Sequence, residues 1–161
     1  MRTLAFAAAA LLASGSAALA APATVSVTVG PELTAKAQKE FGVRDVERLA
    51  ADLRKEVERE LAKTGAYDGA RVELVLTDAK PNRPTMQQMS KMGLSFESFG
   101  VGGATIEGHA IRADGSVTPL SYRWYETDIR NSWATTTWHD AQWTFDRFAA
   151  RLARGETLAS R

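Results

Sequence analysis

The sequence predicts an α+β two-layer sandwich, in which one sheet of about four mainly antiparallel strands carries two helices on one face in the order β-α-β-β-β-α. Three stretches predict it. Phe99 to Thr127 alternates around Asp114-Gly115 and reads as a β-hairpin. Val46, Leu49, Leu53, Val57 and Leu61 recur at intervals of three and four, and Ala141, Phe145, Phe148 and Leu152 do so again after the strands have ended. A chain of 161 residues supplies one domain with a real core, placed at residues 21–155.

The front of the chain reads as an address. Arg2 precedes an apolar run from Leu4 to Ala13, and Ala18-Leu19-Ala20 precedes Ala21-Pro22, so residues 1–20 read as a secretory signal peptide cleaved after Ala20. An uncleaved anchor is the rival, because Leu4 to Ala21 approaches a spanning length; the serines, the glycine and the cleavage pattern favour the signal. Thr24 to Val29 then alternates strictly, with Val25, Val27 and Val29 on one face, as in a half-buried strand ended by Gly30-Pro31. Glu32 to Gly42 holds helix formers with weak periodicity and reads as a loop with room for a short helix. Asp45 stands where the first long helix should be capped and Gly65 where it should stop. Its other face, with Glu47, Arg54, Lys55, Glu58 and Arg59, reads as a solvated ladder of charge. Arg71 to Asp78 is the next strand, with Val72, Leu74 and Leu76 on one side. Ala79 to Ser98 follows as a long connection holding Pro81-Asn82-Arg83-Pro84 and then Met86, Met89 and Met92, which suit either a short helix laid on the core or an adaptable binding lip.

The hairpin admits two registers, and side-chain chemistry chooses between them. A two-residue turn mixes Arg112, Ile106, Arg123 and Tyr125 on one face. A three-residue turn, Ala113-Asp114-Gly115 with Gly115 left-handed, sets Arg112 opposite Ser116 and gathers Ala104, Ile106, Gly108, Ala110, Leu120, Tyr122 and Trp124 on one face. Thr105, Glu107, His109, Ser121 and Arg123 then share the other face with Ile111 and Tyr125. The small Gly108 and Ala110 are expected to let a helix approach, and Pro119 marks an edge strand because it lacks a backbone donor. A second connection, Asp128 to Thr136, leads to a capping box at Thr137 and Asp140 that opens the last helix, with Trp143 pointing away from the core. Gly155 stops that helix, and residues 156–161 are expected to be a disordered tail.

Cysteine is absent, which excludes disulfides, thiol chemistry and a lipid-bearing cysteine, so a soluble exported protein of the periplasm or the exterior is expected. The net charge is +1, and removing Arg2 with the signal leaves 19 basic against 19 acidic residues. No basic stripe remains for nucleic acid, and no hydrophobic span follows the signal for stable membrane insertion. No cofactor or metal is expected: the two histidines, His109 and His139, have no zinc spacing, and G-x-S-x-G, P-loop and H-E-x-x-H motifs are missing. Gly100-Val101-Gly102-Gly103 opens a strand rather than a helix, so it reads as a bulge or strand entry rather than a phosphate loop.

Topology points to a site more firmly than motifs do. The hairpin brings the loop entering at Ser98 and the loop leaving at Asp128 to the same end of the sheet. There Asn82, Arg83, Met86, Met89, Arg130, Asn131 and Trp133 come within reach of one another, arginine and tryptophan suiting anionic or sugar-like partners. Trp138, beside the last helix, reads as a plug of the open end, whereas Trp133 is either plug or contact. A weaker polar cluster, Glu107, His109 and Arg123, lies on the solvent face, where a carboxylate beside an imidazole could move protons but finds no nucleophile or oxyanion donor.

Gly102-Gly103-Ala104 before a strand pair, and Trp138-x-Asp140-Ala141 opening a helix that ends in Phe148-Ala149-x-x-Leu152, resemble a loose group of exported bacterial domains of unknown function, many of them lipoproteins. The resemblance covers about the last third of the mature chain and implies a fold and an envelope setting, with no activity to carry over. The chain lacks the cysteine of the lipoprotein members. The expected function is a non-catalytic binding or accessory domain of the envelope with a protein or glycan partner. A glycan or peptidoglycan module using Trp133, Trp143 and Tyr125 is the alternative, and a small hydrolase using Glu107 and His109 a third.

Overall fold

The computed structural model describes residues 21–133, 135–156 and 158, so the signal-peptide reading lies outside the described residues. Four strands form one sheet in the order β1-β2-β3-β4: β1 (Thr24–Val29), β2 (Arg71–Lys80), β3 (Gly103–Ile111) and β4 (Val117–Tyr125). β1 and β2 run parallel, and the other two pairings are antiparallel. Two long helices, α2 (Val43–Thr64) and α4 (His139–Ala153), lie side by side on one face, α2 over β1 and α4 over β3 and β4. The α+β two-layer sandwich is therefore the observed architecture.

The hairpin takes the register that separates oil from water. Arg112 N–H donates to the Ser116 carbonyl at 2.9 Å, Gly115 N–H returns to the Arg112 carbonyl, and Gly115 has φ +82°. Ile106 is 0 % exposed, while Glu107 faces solvent and His109 is partly open to it. Val72, Leu74, Leu76, Ala104, Ile106 and Leu120 from the sheet meet Leu49, Leu53, Val57, Phe145 and Phe148 from the helices in one core.

Several local expectations are corrected. Glu32 to Gly42 is helical: α1 (Pro31–Lys36) runs into a π-helical turn, Ala37–Phe41, and buries Leu33, Ala37 and Phe41 every four residues. α2 is preceded by Gly42 at φ +97° and has no side-chain cap, with Asp45 inside its first turn; Gly65, at φ +66°, does end it. β2 continues two residues past Asp78, through an irregularity between Leu76 and Asp78. Gly108 makes room for a strand rather than a helix, since a Cβ there would stand 2.1 Å from the Glu73 carbonyl oxygen of β2. Of the tail expected to be disordered, residues 157 and 159–161 lie outside the described residues; Leu158 is 4 % exposed in the core and its carbonyl accepts from Ser121 N–H on the outer side of β4.

Candidate functional site

The methionine stretch forms α3 (Met86–Met92), opened by a capping box in which Thr85 accepts from Gln88 N–H while the Gln88 side chain accepts from Thr85 N–H. None of its residues is buried, so it is a lip on the molecule rather than a core helix. Gln87 ties it to the carbonyl of Gln38 at 3.1 Å, within the π turn.

Arg83 joins the two long connections. Its Nε donates to the Thr135 carbonyl at 2.6 Å, Nη1 to Phe96 at 3.0 Å and Nη2 to Trp133, and the guanidinium lies 5.5 and 5.8 Å from the Phe96 and Phe99 ring centres. The convergence of the loops inferred from the hairpin is thus a direct contact. Arg83 itself serves as the clamp, with its donors turned to main-chain carbonyls.

Asn82 is corrected from contact to latch. It is 1 % exposed; its Nδ2 donates to Asp140 Oδ2 at 2.6 Å and to the Gly100 carbonyl at 3.1 Å, and its Oδ1 accepts from Asp140 N–H at 2.9 Å. Asp140 Oδ2 also accepts from Gly102 N–H at 2.8 Å. The aspartate expected in a capping box therefore spends its carboxylate on the entry of β3, and α4 starts after Trp138 with no side-chain cap. Gly102 is required by this approach, since a Cβ would meet Asn82 Oδ1 at 2.7 Å.

Most of the exposed large apolar side chains among the described residues gather at this end. Met86 (73 % exposed), Met92, Leu94, Phe96 (52 %), Phe99, Ile129 and Trp133 (70 %) all belong to the two connections. A groove of about 290 Å³ opens beside Met86 and Phe96, lined also by Met89 and Trp138 and by Asp45 and Arg48 of α2. Trp138 is the expected plug: it packs on the core and meets Phe41 edge-on at 5.8 Å. Trp133 is not. Arg130 and Asn131 bond within their own loop, Arg130 Nε to both Asp128 oxygens at 2.9 and 3.0 Å and Asn131 Nδ2 to Glu126 at 3.1 Å, although Arg130 stays solvent-facing.

No protein-family model, curated protein or solved structure matches this chain. The functional reading therefore rests on its own side chains.

The polar cluster of the open sheet face is only partly assembled. His109 Nε2 lies 3.2 Å from Glu73 on the neighbouring strand, and among the described residues its ion-pair neighbour is Glu73 rather than Glu107. Glu107 and Arg123 do line one cleft, with residues that sequence reasoning missed. Asp78 Oδ1 accepts from Lys36 Nζ at 2.7 Å and Oδ2 from the Tyr125 hydroxyl at 2.6 Å, and Thr105 Oγ1 is 3.2 Å from that hydroxyl. Burial alone would raise the Asp78 carboxyl; the bonds from Lys36 and Tyr125 with the Lys36 charge outweigh it and hold the group below its ordinary range. Burial, and then the bond to Asp78, push Tyr125 up to about 12. The signal that could have found Asp78 is its place in β2: strict alternation would send this charge to the core. The glycan trio is not brought together, because Tyr125 faces the open side of the sheet while Trp143 stacks on His139 on α4.

Proposed function

We propose that this protein is a non-catalytic accessory domain of the cell envelope that binds a polypeptide partner through the end where its two long connections meet. The observation that carries the reading is the exposure of Met86, Phe96 and Trp133 on segments clamped together by Arg83. Monomeric proteins seldom expose a contiguous apolar patch without a use for it, and methionine and aromatic side chains are the residues enriched at interface centres. Glu97, Glu126, Asp128 and Arg130 supply a rim of mixed sign around it, which suits a protein surface better than an anionic membrane. No helix among the described residues is long and apolar enough to cross a membrane.

Photocrosslinking in cells that export the protein tests the reading. A crosslinker in place of Phe96 or Trp133 should yield the same discrete protein adduct, and one in place of Lys55 on the charged face of α2 should not. Equal labelling from all three positions, or none from the first two, defeats it. The glycan alternative keeps Trp133 as a single exposed platform, and quenching of tryptophan fluorescence by glycan fragments, lost in Trp133→Ala, would replace the protein partner with a sugar.

A further inference from the structure

A separate cleft of about 490 Å³ opens on the helix-free face of the sheet, lined by Glu32, Lys36, Asp78, Thr105, Glu107 and Arg123. The irregularity at Thr77 creates it. Without the extra residue, Asp78 would follow Leu76 onto the helix-covered face; with it, Asp78 comes opposite Thr105 and joins the solvent side. Lys36 and Tyr125 then fix Asp78, and the Tyr125 ring carries the Arg123 guanidinium 5.2 Å from its centre. Arg123 thus rests on the ring without an acid on it. Glu107, its diagonal neighbour across β3 and β4, is likewise unengaged: among the described residues neither has an ion-pair partner, although the charges around them, Lys36 with Asp78 and Glu73 with Arg71 and His109, are paired. A guanidinium offers two parallel donors to a carboxylate, and Glu107, with Glu32 at the rim, offers acceptors to an ammonium.

We propose that this cleft binds a small zwitterion, an amino acid or short peptide whose carboxylate meets Arg123 and whose ammonium meets Glu107. Its volume lies within the range of small-ligand sites, and the Lys36–Asp78–Tyr125 chain of hydrogen bonds places the ring on which the receiving guanidinium rests before the ligand arrives.

Glycylglycine titrated into the isotope-labelled protein, followed by backbone amide resonances, is the test. Saturable shifts centred on Thr105, Glu107 and Arg123 are expected. N-acetylglycylglycine, which lacks the ammonium, and glycylglycinamide, which lacks the carboxylate, should each bind at least about tenfold more weakly. Arg123→Gln, a surface change, should bind glycylglycine no better than glycylglycinamide, and Glu107→Gln should cease to distinguish glycylglycine from its acetylated form. Capped dipeptides that bind as well as the free one, or shifts that stay linear through about 10 mM, overturn the proposal. Saturable shifts confined to Met86 and Phe96 also overturn it, and leave the partner-binding reading of the loop end untouched.

Discussion

Asn82 shows how a residue's role depends on a contact far away in the chain. Between two prolines in a long connection it has the look of a surface contact; what buries it is Asp140, 58 residues on. Asn82→Ala would leave the Asp140 carboxylate enclosed with a donor missing, so a loss of about 3 kcal/mol is expected, read as a lower denaturation midpoint at unchanged slope. Binding at the loop end should survive wherever the variant is folded. The Asp78–Tyr125 pair makes a second prediction, with opposite signs at the two ends of the pH scale. Asp78 is held below its ordinary range, so its contribution is present above that range and is lost as pH falls through its lowered pKa. Tyr125 is raised, so its contribution is complete below 10.0 and is lost as pH climbs toward about 12. Melting temperature against pH should show both losses, and Tyr125→Phe should flatten the alkaline limb. An alkaline limb unchanged by that substitution would remove the Tyr125 hydroxyl from the account.

At the scale of elements, the hairpin was legible because only one of its registers gives a face fit to bury, and its turn residue confirms the choice. Two glycines in it make distinguishable predictions. A side chain at Gly115 meets nothing within 4 Å, so Gly115→Val pays only for the left-handed backbone, about 1 kcal/mol. Gly108→Ala drives a carbon into the Glu73 carbonyl and should cost more, about 2–3 kcal/mol. Chemical denaturation of both variants checks the ranking, and equal losses would mean that β2 gives way. Two stretches resisted reading for different reasons. Leu33, Ala37 and Phe41 keep a helical interval of four, but three buried positions among polar residues make a short signal, whereas the irregularity before Asp78 conceals which face of β2 a charge occupies. Alternation counting assumes a uniform strand, and a bulge resets the count.

For the whole molecule, the layering was legible, since two amphipathic helices and one half-apolar hairpin admit little else. The convergence of both connections followed from the hairpin alone. The site was less so: Trp138 is the plug it was read as, but Arg83 became scaffold and Asn82 a latch, while Met86, Met89 and Trp133 stayed at the open end and Phe96 joined them. Tertiary burial decides between scaffold and surface, and no local pattern reports it. If the envelope setting holds, the exported protein should begin at Ala21 by intact mass, and a product retaining Met1 would defeat the cleaved signal. Leu158 bears on such a life. It completes the interior from beyond the last helix and occupies the outer rim of β4 through Ser121. A chain threading through a membrane amino end first would keep one hydrophobic socket vacant until Leu158 itself had emerged, and a fragment ending before Leu158 would reach its destination unsealed, a ready substrate for quality-control proteases.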